Sequence, residues 1–403
     1  MTVERPGEAG LRDVLFLSNG HGEDLIAGRI LDELRALRPE LTIDAWPMVG
    51  RGSAYLSRGI PTGGEPNLLP SEGFALASWK LLLRDLSEGW IGMYWRQFRH
   101  ARRLRGRYRF MVAVGDIVPL LSGVLSKTPF VFVGCAKTAY YNWWYDYNPL
   151  ERRLMRSARA VYPRDSYTAR DLSGRGIEIH DFGNPMMDRL EPTGDRLGVE
   201  EDAAVIGMLA GTRSDAETNF LDLLQAAAAM TRMHRRPERL RIVFAARPEF
   251  DAQAMAARVS PDQWHDIAVR PKPVVMRLTA RNGAQVLVAK DRFADVLQIS
   301  DVVVGMAGTA NEQAVGLGKP LVTAPSSGVQ GPAFVRMKMQ FFGESAVAVP
   351  RDPDAIARAA LDILADPARA ARMGAVGRER MGPPGASRAI AAEIAAMIAG
   401  EAA

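Results

Sequence analysis

Four short stretches of the chain combine residue types that could bind an anion or move a proton. The first, Ser18-Asn19-Gly20-His21-Gly22-Glu23-Asp24, sets a histidine between two glycines. Glycines let a backbone approach a ligand closely, and a helix starting there would favour anions. His21 on such a loop could act as a general base near neutral pH. The same residues also fit a tight turn in which Glu23 or Asp24 caps a helix. The stretch is not the dinucleotide fingerprint, because only Gly20 and Gly22 are present and the next glycine is Gly28. The second stretch, Val114-Gly115-Asp116-Ile117-Val118-Pro119, puts an acid at the end of an apolar run. A carboxylate there is costly unless exposed or paired. Asp116 could accept a proton from an attacking hydroxyl, or cap a helix. The third, Leu209-Ala210-Gly211-Thr212-Arg213-Ser214-Asp215-Ala216-Glu217, offers backbone donors and a guanidinium to a diphosphate. Fixed positive charge there would ease the departure of a diphosphate leaving group. The fourth, Gly305-Met306-Ala307-Gly308-Thr309-Ala310-Asn311-Glu312-Gln313, is followed by Gly318-Lys319-Pro320. Two anion-binding turns in one half of the chain suit a nucleoside diphosphate, and a polar residue one turn into the following helix could clamp ribose hydroxyls.

Such turns work only at strand ends, and the sequence supplies the strands. Val14–Ser18 reads as a strand and Asp24–Leu37 as a helix, with Leu25, Ile26, Ile30, Leu34 and Leu37 at helical spacing. Thr42–Met48, Phe110–Val114, Phe130–Gly134, Ala160–Tyr162 and Glu178–Phe182 read as further strands. The alternation restarts at Ala204–Leu209, followed by a helix over Ala216–Arg232 and short apolar runs at Arg241–Ala245, Gln285–Ala289, Val302–Val304 and Pro320–Thr323. This predicts an α/β fold of two doubly wound parallel sheets covered by helices. The break falls near Gly183–Glu201, where Pro185, Pro192, Gly194 and Gly198 cluster. The expected division is residues 1–185, residues 186–384, and a C-terminal helix in residues 385–403 placed to pack back on the first domain. Two such domains would put a ligand at the carboxyl ends of the strands, facing a central cleft.

Composition excludes several classes. The chain has 403 residues, enough for two cores, with 47% hydrophobic and 24% charged residues. One cysteine, Cys135, and five histidines give no disulfide and no metal-site spacing. The N-terminal residues lack the basic start and apolar stretch of a signal peptide. The best apolar run, Met111–Leu125, is broken by Asp116 and Pro119, so no segment reads as membrane-spanning. The expectation is a cytoplasmic protein with at most peripheral membrane contact. Arg96, Arg99, Arg102, Arg103, Arg105, Arg107 and Arg109 form a basic block behind Trp79, Trp90, Tyr94, Trp95 and Phe98. Apolar followed by basic is the pattern of an interfacial segment, although ordinary helix packing with a solvated face reads the same way. A second aromatic run holds Tyr140, Tyr141, Trp143, Trp144, Tyr145 and Tyr147, a composition suited to apolar–polar boundaries such as a membrane surface or a sugar face.

Taken together, these turns resemble those of the lipid-A-disaccharide synthase family of GT-B glycosyltransferases, over about Asp13 to Pro384. That family's amino-terminal Gly-x-x-Ser-Gly-Asp turn is approximated by Gly20-His21-Gly22-Glu23-Asp24, and its strand-end aspartate falls on Asp116. Its Gly-Ser-Arg-x-x-Glu turn is matched by Gly211-Thr212-Arg213-Ser214-Asp215-Ala216-Glu217, with the acid one place later. Its Gly-His-Pro-x-x-Asp hinge corresponds to Gly183-Asn184-Pro185-Met186-Met187-Asp188, and its Ser-Gly-Thr-Ala-x-x-Glu turn to Ala307-Gly308-Thr309-Ala310-Asn311-Glu312-Gln313. Counting back seven from Pro320, the ribose-binding Glu of the family falls on Gln313, with Glu312 just before it. Asn184 replaces the hinge His, and His21 is similar instead to the Gly-Gly-His turn of the glycosyltransferase that makes lipid II.

The resemblance implies a GT-B fold and an inverting, metal-independent hexosyltransferase. It would move a hexose, such as GlcNAc or a derivative, from a UDP-sugar to a lipid-linked acceptor at the inner face of the cytoplasmic membrane, with no cofactor and no nucleic-acid partner. Asp116, or else His21, would be the base. Gly211, Thr212, Arg213, Glu217, Gly308, Thr309, Ala310, Glu312 and Gln313 would hold the UDP-sugar. Gly20, Gly22, Glu23, Asp24 and Asn184 would border the acceptor. Trp90, Tyr94, Trp95, Arg96, Arg99, Arg102 and Arg103 would meet the anionic membrane. A UDP-sugar 2-epimerase and a non-catalytic nucleotide-sugar-binding protein remain alternatives.

Overall fold

In a computed structural model, the chain divides into two compact units, Met1–Asp188 with Gly382–Ala403, and Arg189–Met381. The structure describes residues 10–63, 90–141, 146–328 and 330–401, with the side chains of residues 90, 91 and 401 excepted. Trp79, Trp143, Trp144, Tyr145 and the Trp90 side chain therefore lie outside the described residues.

The first unit contains β1 (Arg12–Ser18), α1 (His21–Leu37), β2 (Ile43–Pro47), α2 (Ser53–Leu56), α3 (Trp90–Arg103), β3 (Tyr108–Val114), α4 (Ile117–Ser126), β4 (Phe130–Gly134), α5 (Pro149–Met155), β5 (Val161–Pro163) and α6 (Ser166–Leu172). Its five strands are all parallel, in the order β2-β1-β3-β4-β5. Ser18 pairs with both Pro47 and Val114, so β1, β2 and β3 end level and their following loops share one edge. The strands read as unbroken apolar runs because both faces are covered. Val14 and Phe16 point to one side with Ile26, Ile30 and Leu34 of α1, and Leu15 and Leu17 to the other with Met111, Leu104 and Phe132. That two-residue alternation is the strand period itself.

The chain returns to this unit at its end. Helix α14 (Ala386–Glu401) adds Ile390, Ala391, Ile394 and Ile398 to the α1 side of the sheet. Its start is capped by the buried Asp188 carboxylate, which accepts from the Gly385 and Ser387 amides at 2.5 and 2.6 Å. Farther along, His180 sits between Glu393 at 2.5 Å and Glu178 at 3.0 Å. The stretch Glu178–Phe182 is not the strand its residues suggest. Only Ile179 makes a bridge, to Val161, and the polar side chains of Glu178, His180 and Asp181 serve helix and turn contacts instead.

The second unit contains β6 (Ala204–Leu209), α7 (Ala216–Met233), β7 (Leu240–Ala246), α8 (Ala252–Ala256), β8 (Asp266–Val269), β9 (Val274–Thr279), β10 (Gln285–Lys290), α9 (Phe293–Ile299), β11 (Val302–Gly305), α10 (Thr309–Gly316), β12 (Leu321–Thr323), α11 (Pro332–Phe342), β13 (Ala346–Ala348), α12 (Pro353–Leu364) and α13 (Pro367–Met381). The sheet order is β13-β12-β11-β6-β7-β10-β9-β8. The strands from β13 to β10 run parallel, and β9 and β8 are added antiparallel at one edge. Two alanine-rich helices cover this sheet, which is why their contact faces, Ala226, Ala227 and Ala229 on α7 and Ala357 and Ala360 on α12, sit so close to Val302, Val304 and Ile206. Among the described residues no helix is long and apolar enough to cross a membrane.

Candidate functional site

Each unit gathers its predicted turns, with Asp116 among those of the first, at the carboxyl edge of its own sheet. In the first unit, β1 ends at Ser18 and α1 begins at His21, three residues earlier than the apolar periodicity suggests. Gly20 is the residue before the helix, and no side chain caps it. His21 is exposed on the first turn, Gly22 and Glu23 are half-buried, and Asp24 is buried at 2% exposure. Asp24 is thus not a cap. It turns inward and accepts from Ser18 Oγ at 2.6 Å, and the same hydroxyl meets Tyr55 Oη at 2.6 Å. Burial pushes the Asp24 carboxyl up to about 6, against the pull of the Ser18 bond. Glu23 folds back over the turn: a Cβ on Gly20 would lie 2.5 Å from Glu23 Oε2, and one on Gly115 would lie 3.1 Å from Glu23 Cγ. Gly115 also holds φ at 129°, a conformation that other residues rarely adopt.

Asp116 follows β3 and caps α4, accepting from the Val118 amide at 2.9 Å, and it stays half-buried at the strand end. The Asn19 amide donates to both of its oxygens, at 3.1 and 3.0 Å. Burial pushes the Asp116 carboxyl above the usual range, and the Val118 and Asn19 donors oppose that rise. Around it stand groups that the sequence alone does not single out. Lys137, after β4, pairs with the buried Glu151 at 2.8 Å. Arg164, after β5 and only 2% exposed, donates to the Cys135 carbonyl at 3.1 Å. Burial lifts the Cys135 thiol well above its ordinary range, Glu23 adds to the rise and Arg164 counters it. A charged residue one to three positions past the end of a strand is the only signal that could have flagged Lys137 and Arg164. Asn184, by contrast, is fully buried and accepts from the Met186 amide at 3.0 Å, capping the 3-10 turn at Pro185–Met187.

In the second unit the turn after β6 carries Gly211 at φ 86°, which favours glycine, and leads into α7 without a side-chain cap. Thr212 is exposed and Arg213 half-buried. Asn219, buried within α7, donates to the Ala210 carbonyl at 3.1 Å and so fixes the turn from below. Glu217 is exposed and engaged by Arg258 at 3.1 Å and Arg247 at 3.4 Å. A pocket beside this turn is lined by Gly211, Glu217, Phe220, Phe244, Arg247 and Phe250.

The turn after β11 leads through Gly308 into α10, again with no side-chain cap. Thr309 is exposed and Ala310 half-buried. Asn311 is buried and donates to the Gly305 carbonyl at 3.2 Å. Glu312 and Gln313 are both buried, and Glu312 is ion-paired with Lys338 of α11. The loop after β12 braces both turns. Gly328 donates to Asp215 at 3.1 Å, and the Ser327 amide reaches Asn219 at 3.4 Å. With its side-chain amide turned over, the orientation that satisfies both ends, Gln330 accepts from the Gly308 amide at 3.2 Å and donates to the Met306 carbonyl at 3.3 Å. An anion arriving at the Gly308 amide must therefore compete with Gln330. Among the described residues no group of three or more His, Cys, Asp or Glu side chains could hold a metal ion.

Helix α3 carries the first four arginines of the basic block, Arg96, Arg99, Arg102 and Arg103. Met93, Gln97, Ala101 and Leu104 are buried at helical spacing, and Trp95, Arg96, Arg99, Arg102 and Arg103 are exposed on the other side, Trp95 to 61%. Tyr94 is half-buried and stacks on Phe98 with ring centroids 6.1 Å apart.

No protein-family model matches the chain, and no curated protein matches it. Solved structures do. The spinosyn rhamnosyltransferase SpnG complexed with thymidine diphosphate is 13% identical, with a TM-score of 0.59 over 94% of this chain and 99% of that one. MurG of Acinetobacter baumannii is 12% identical, with a TM-score of 0.56 over 95% and 99%. The UDP-GlcNAc 2-epimerase of Neisseria meningitidis bound to UDP-GlcNAc is 12% identical, with a TM-score of 0.54 over 96% and 100%. At these identities the likeness establishes the fold, which is GT-B: two doubly wound, Rossmann-like α/β domains.

Proposed function

We propose that this GT-B protein is an inverting, metal-independent glycosyltransferase that moves a hexose, such as GlcNAc or a derivative, from a UDP-sugar to a lipid-linked acceptor. The observation that carries this reading is Asp116. It is a half-buried, largely desolvated carboxylate fixed at a strand end, in a chain whose other sheet edge offers two glycine turns opening helices. The ligands in the SpnG and Neisseria structures, thymidine diphosphate and UDP-GlcNAc, support a nucleotide-sugar as the donor class. In the proposed reaction Asp116 takes the proton of the acceptor hydroxyl as its oxygen bonds to the anomeric carbon. The bond from that carbon to the phosphate oxygen breaks, and its electron pair leaves with UDP. Arg213 and the first turns of α7 and α10 receive the growing negative charge. Displacement from the opposite face inverts the sugar carbon, and the fixed cation removes the need for a metal.

The test is a thermal-shift panel of UDP, UDP-GlcNAc, UDP-glucose, UDP-galactose, GDP, ADP and NAD. A ligand at a hundred times its dissociation constant stabilises the fold by about 2.7 kcal/mol. A shift with UDP and one UDP-sugar is expected; silence with every uridine nucleotide would leave the glycine turns without their proposed ligand. The lipid-linked acceptor and the inner membrane face rest on α3. Trp95 and the exposed arginines form an apolar and basic strip that would dock on anionic lipid. Combining Trp95→Ala with Arg99→Glu, Arg102→Glu and Arg103→Glu should cut binding to phosphatidylserine vesicles roughly tenfold or more. Equal binding by both proteins would remove the membrane from the proposal.

The likeness to the Neisseria epimerase favours one second reading, a UDP-sugar 2-epimerase. Incubation with UDP-GlcNAc alone separates the two, because only an epimerase turns it into the 2-epimer, whether still linked to UDP or freed by hydrolysis.

A further inference from the structure

Asn19 stands in the first of the four stretches, where its residue type suggested no role, yet its side chain donates directly to Asp116. It is 7% exposed, and its Nδ2 donates to Asp116 Oδ1 at 3.1 Å and Oδ2 at 3.0 Å. The Val118 amide adds a second donor to Oδ1, at 2.9 Å. Among the donors described, Oδ1 thus receives two and Oδ2 one, so Oδ2 keeps more lone-pair capacity for an incoming proton.

The mount behind Asn19 is stiff. Ser18, one residue before it, is fully buried. The Ser18 hydroxyl meets Asp24 Oδ1 and Tyr55 Oη, both at 2.6 Å, and its carbonyl accepts from the Met48 amide at 2.8 Å. Asp24 and Tyr55 are themselves buried. The other end of the amide, Asn19 Oδ1, is buried without a hydrogen-bond partner among the described residues. A buried acceptor left without a donor is costly. The amide nevertheless keeps its NH2 on the carboxylate, because turning its oxygen there would set it against two acceptor oxygens about 3 Å away. That preference lasts only while Asp116 is ionised.

We propose that Asn19 is a positioning residue for Asp116, holding the carboxylate so that Oδ2 is the atom that takes the acceptor proton. The inference rests on Asp116 acting as the base. The proton passes from the acceptor hydroxyl to Asp116 Oδ2, the freed oxygen pair forms the glycosidic bond, and the bond to the diphosphate breaks with its electrons on UDP. Asn19 never touches the substrate.

One readout needs no substrate. Protein labelled with 13C at the aspartate side-chain carboxyl is titrated by NMR, and the Asp116 signal is identified by its loss in Asp116→Asn. Removing the donor in Asn19→Ala should move the Asp116 midpoint to higher pH. The isosteric Asn19→Asp, which places a second carboxylate there, should move it further. In parallel, UDP release from UDP-GlcNAc with water as the acceptor should fall on the order of 10- to 100-fold in Asn19→Ala, with KM for UDP-GlcNAc unchanged. An Asp116 titration that is the same in the parent and both variants overturns the inference, even if Asp116 proves to be the base. A titration that depends on Asn19, with UDP release indifferent to Asp116→Asn, overturns the base assignment and the proton path with it, and leaves only a structural clamp.

Discussion

Asp116→Asn should lower turnover by about two to four orders of magnitude, the usual span of a lost general base, while the thermal shift produced by UDP stays intact. The substitution keeps the size of the side chain and can still cap α4, since the asparagine oxygen can accept from the Val118 amide. What it loses is the ability to hold a proton. The pH profile carries an independent sign. Burial raises the carboxyl above its ordinary range, and the base works only when ionised, so turnover should fall as pH drops through that raised value. The acid limb of kcat/KM should lie at higher pH than an exposed aspartate would give. His21→Ala is the paired variant. His21 is exposed on the first turn of α1 and is the other candidate base. If His21→Ala abolishes turnover while Asp116→Asn leaves it whole, the two assignments exchange.

The parallel strands and their turns were legible because their signals are local. An apolar run followed within two residues by a glycine turn marks a buried parallel strand and the loop at its carboxyl end, and Arg12–Ser18, Tyr108–Val114 and Ala204–Leu209 follow that rule. The antiparallel edge formed by β8 and β9 did not emerge, although Asn282-Gly283 between Thr279 and Gln285 is a strong hairpin signal, and Gly283 indeed sits at φ 85°. Expecting helices between strands hid it. The short β13 was missed because three residues of Ala-Val-Ala carry little period. Within the sites, spacing found Asp116 and the glycine turns, since those depend on backbone geometry. It could not find Asn19, Lys137 or Arg164, which depend on which strands become neighbours in the sheet. Nor could it show that Asp24 turns inward, because the helix period counted from its apolar residues begins after it.

The role of Glu312 is decided by its partner. Counting from Pro320 sets Gln313 where a ribose clamp is expected and Glu312 beside it, but the Glu312 side chain is only 3% exposed and pairs with Lys338 of α11, itself 15% exposed. Breaking one side of a buried pair typically costs about 3–5 kcal/mol, because the remaining charge has lost its compensation. Lys338→Met should therefore lower the melting temperature of the second unit by roughly 10 °C, at a few degrees per kcal/mol for a unit of this size. Glu312→Gln should cost less, since Lys338 retains a partial path to water. The double variant Glu312→Leu with Lys338→Met should recover much of the loss, because a well-packed apolar pair often replaces a buried ion pair without penalty. A ribose clamp predicts the reverse pattern: Glu312→Gln would weaken UDP binding and leave the melting temperature unchanged. Measuring both quantities on the same three variants separates a carboxylate that fixes α10 against α11 from one that reads the nucleotide. If stability is lost and UDP affinity is kept, Gln313 is left as the polar side chain of that helix turn to test next.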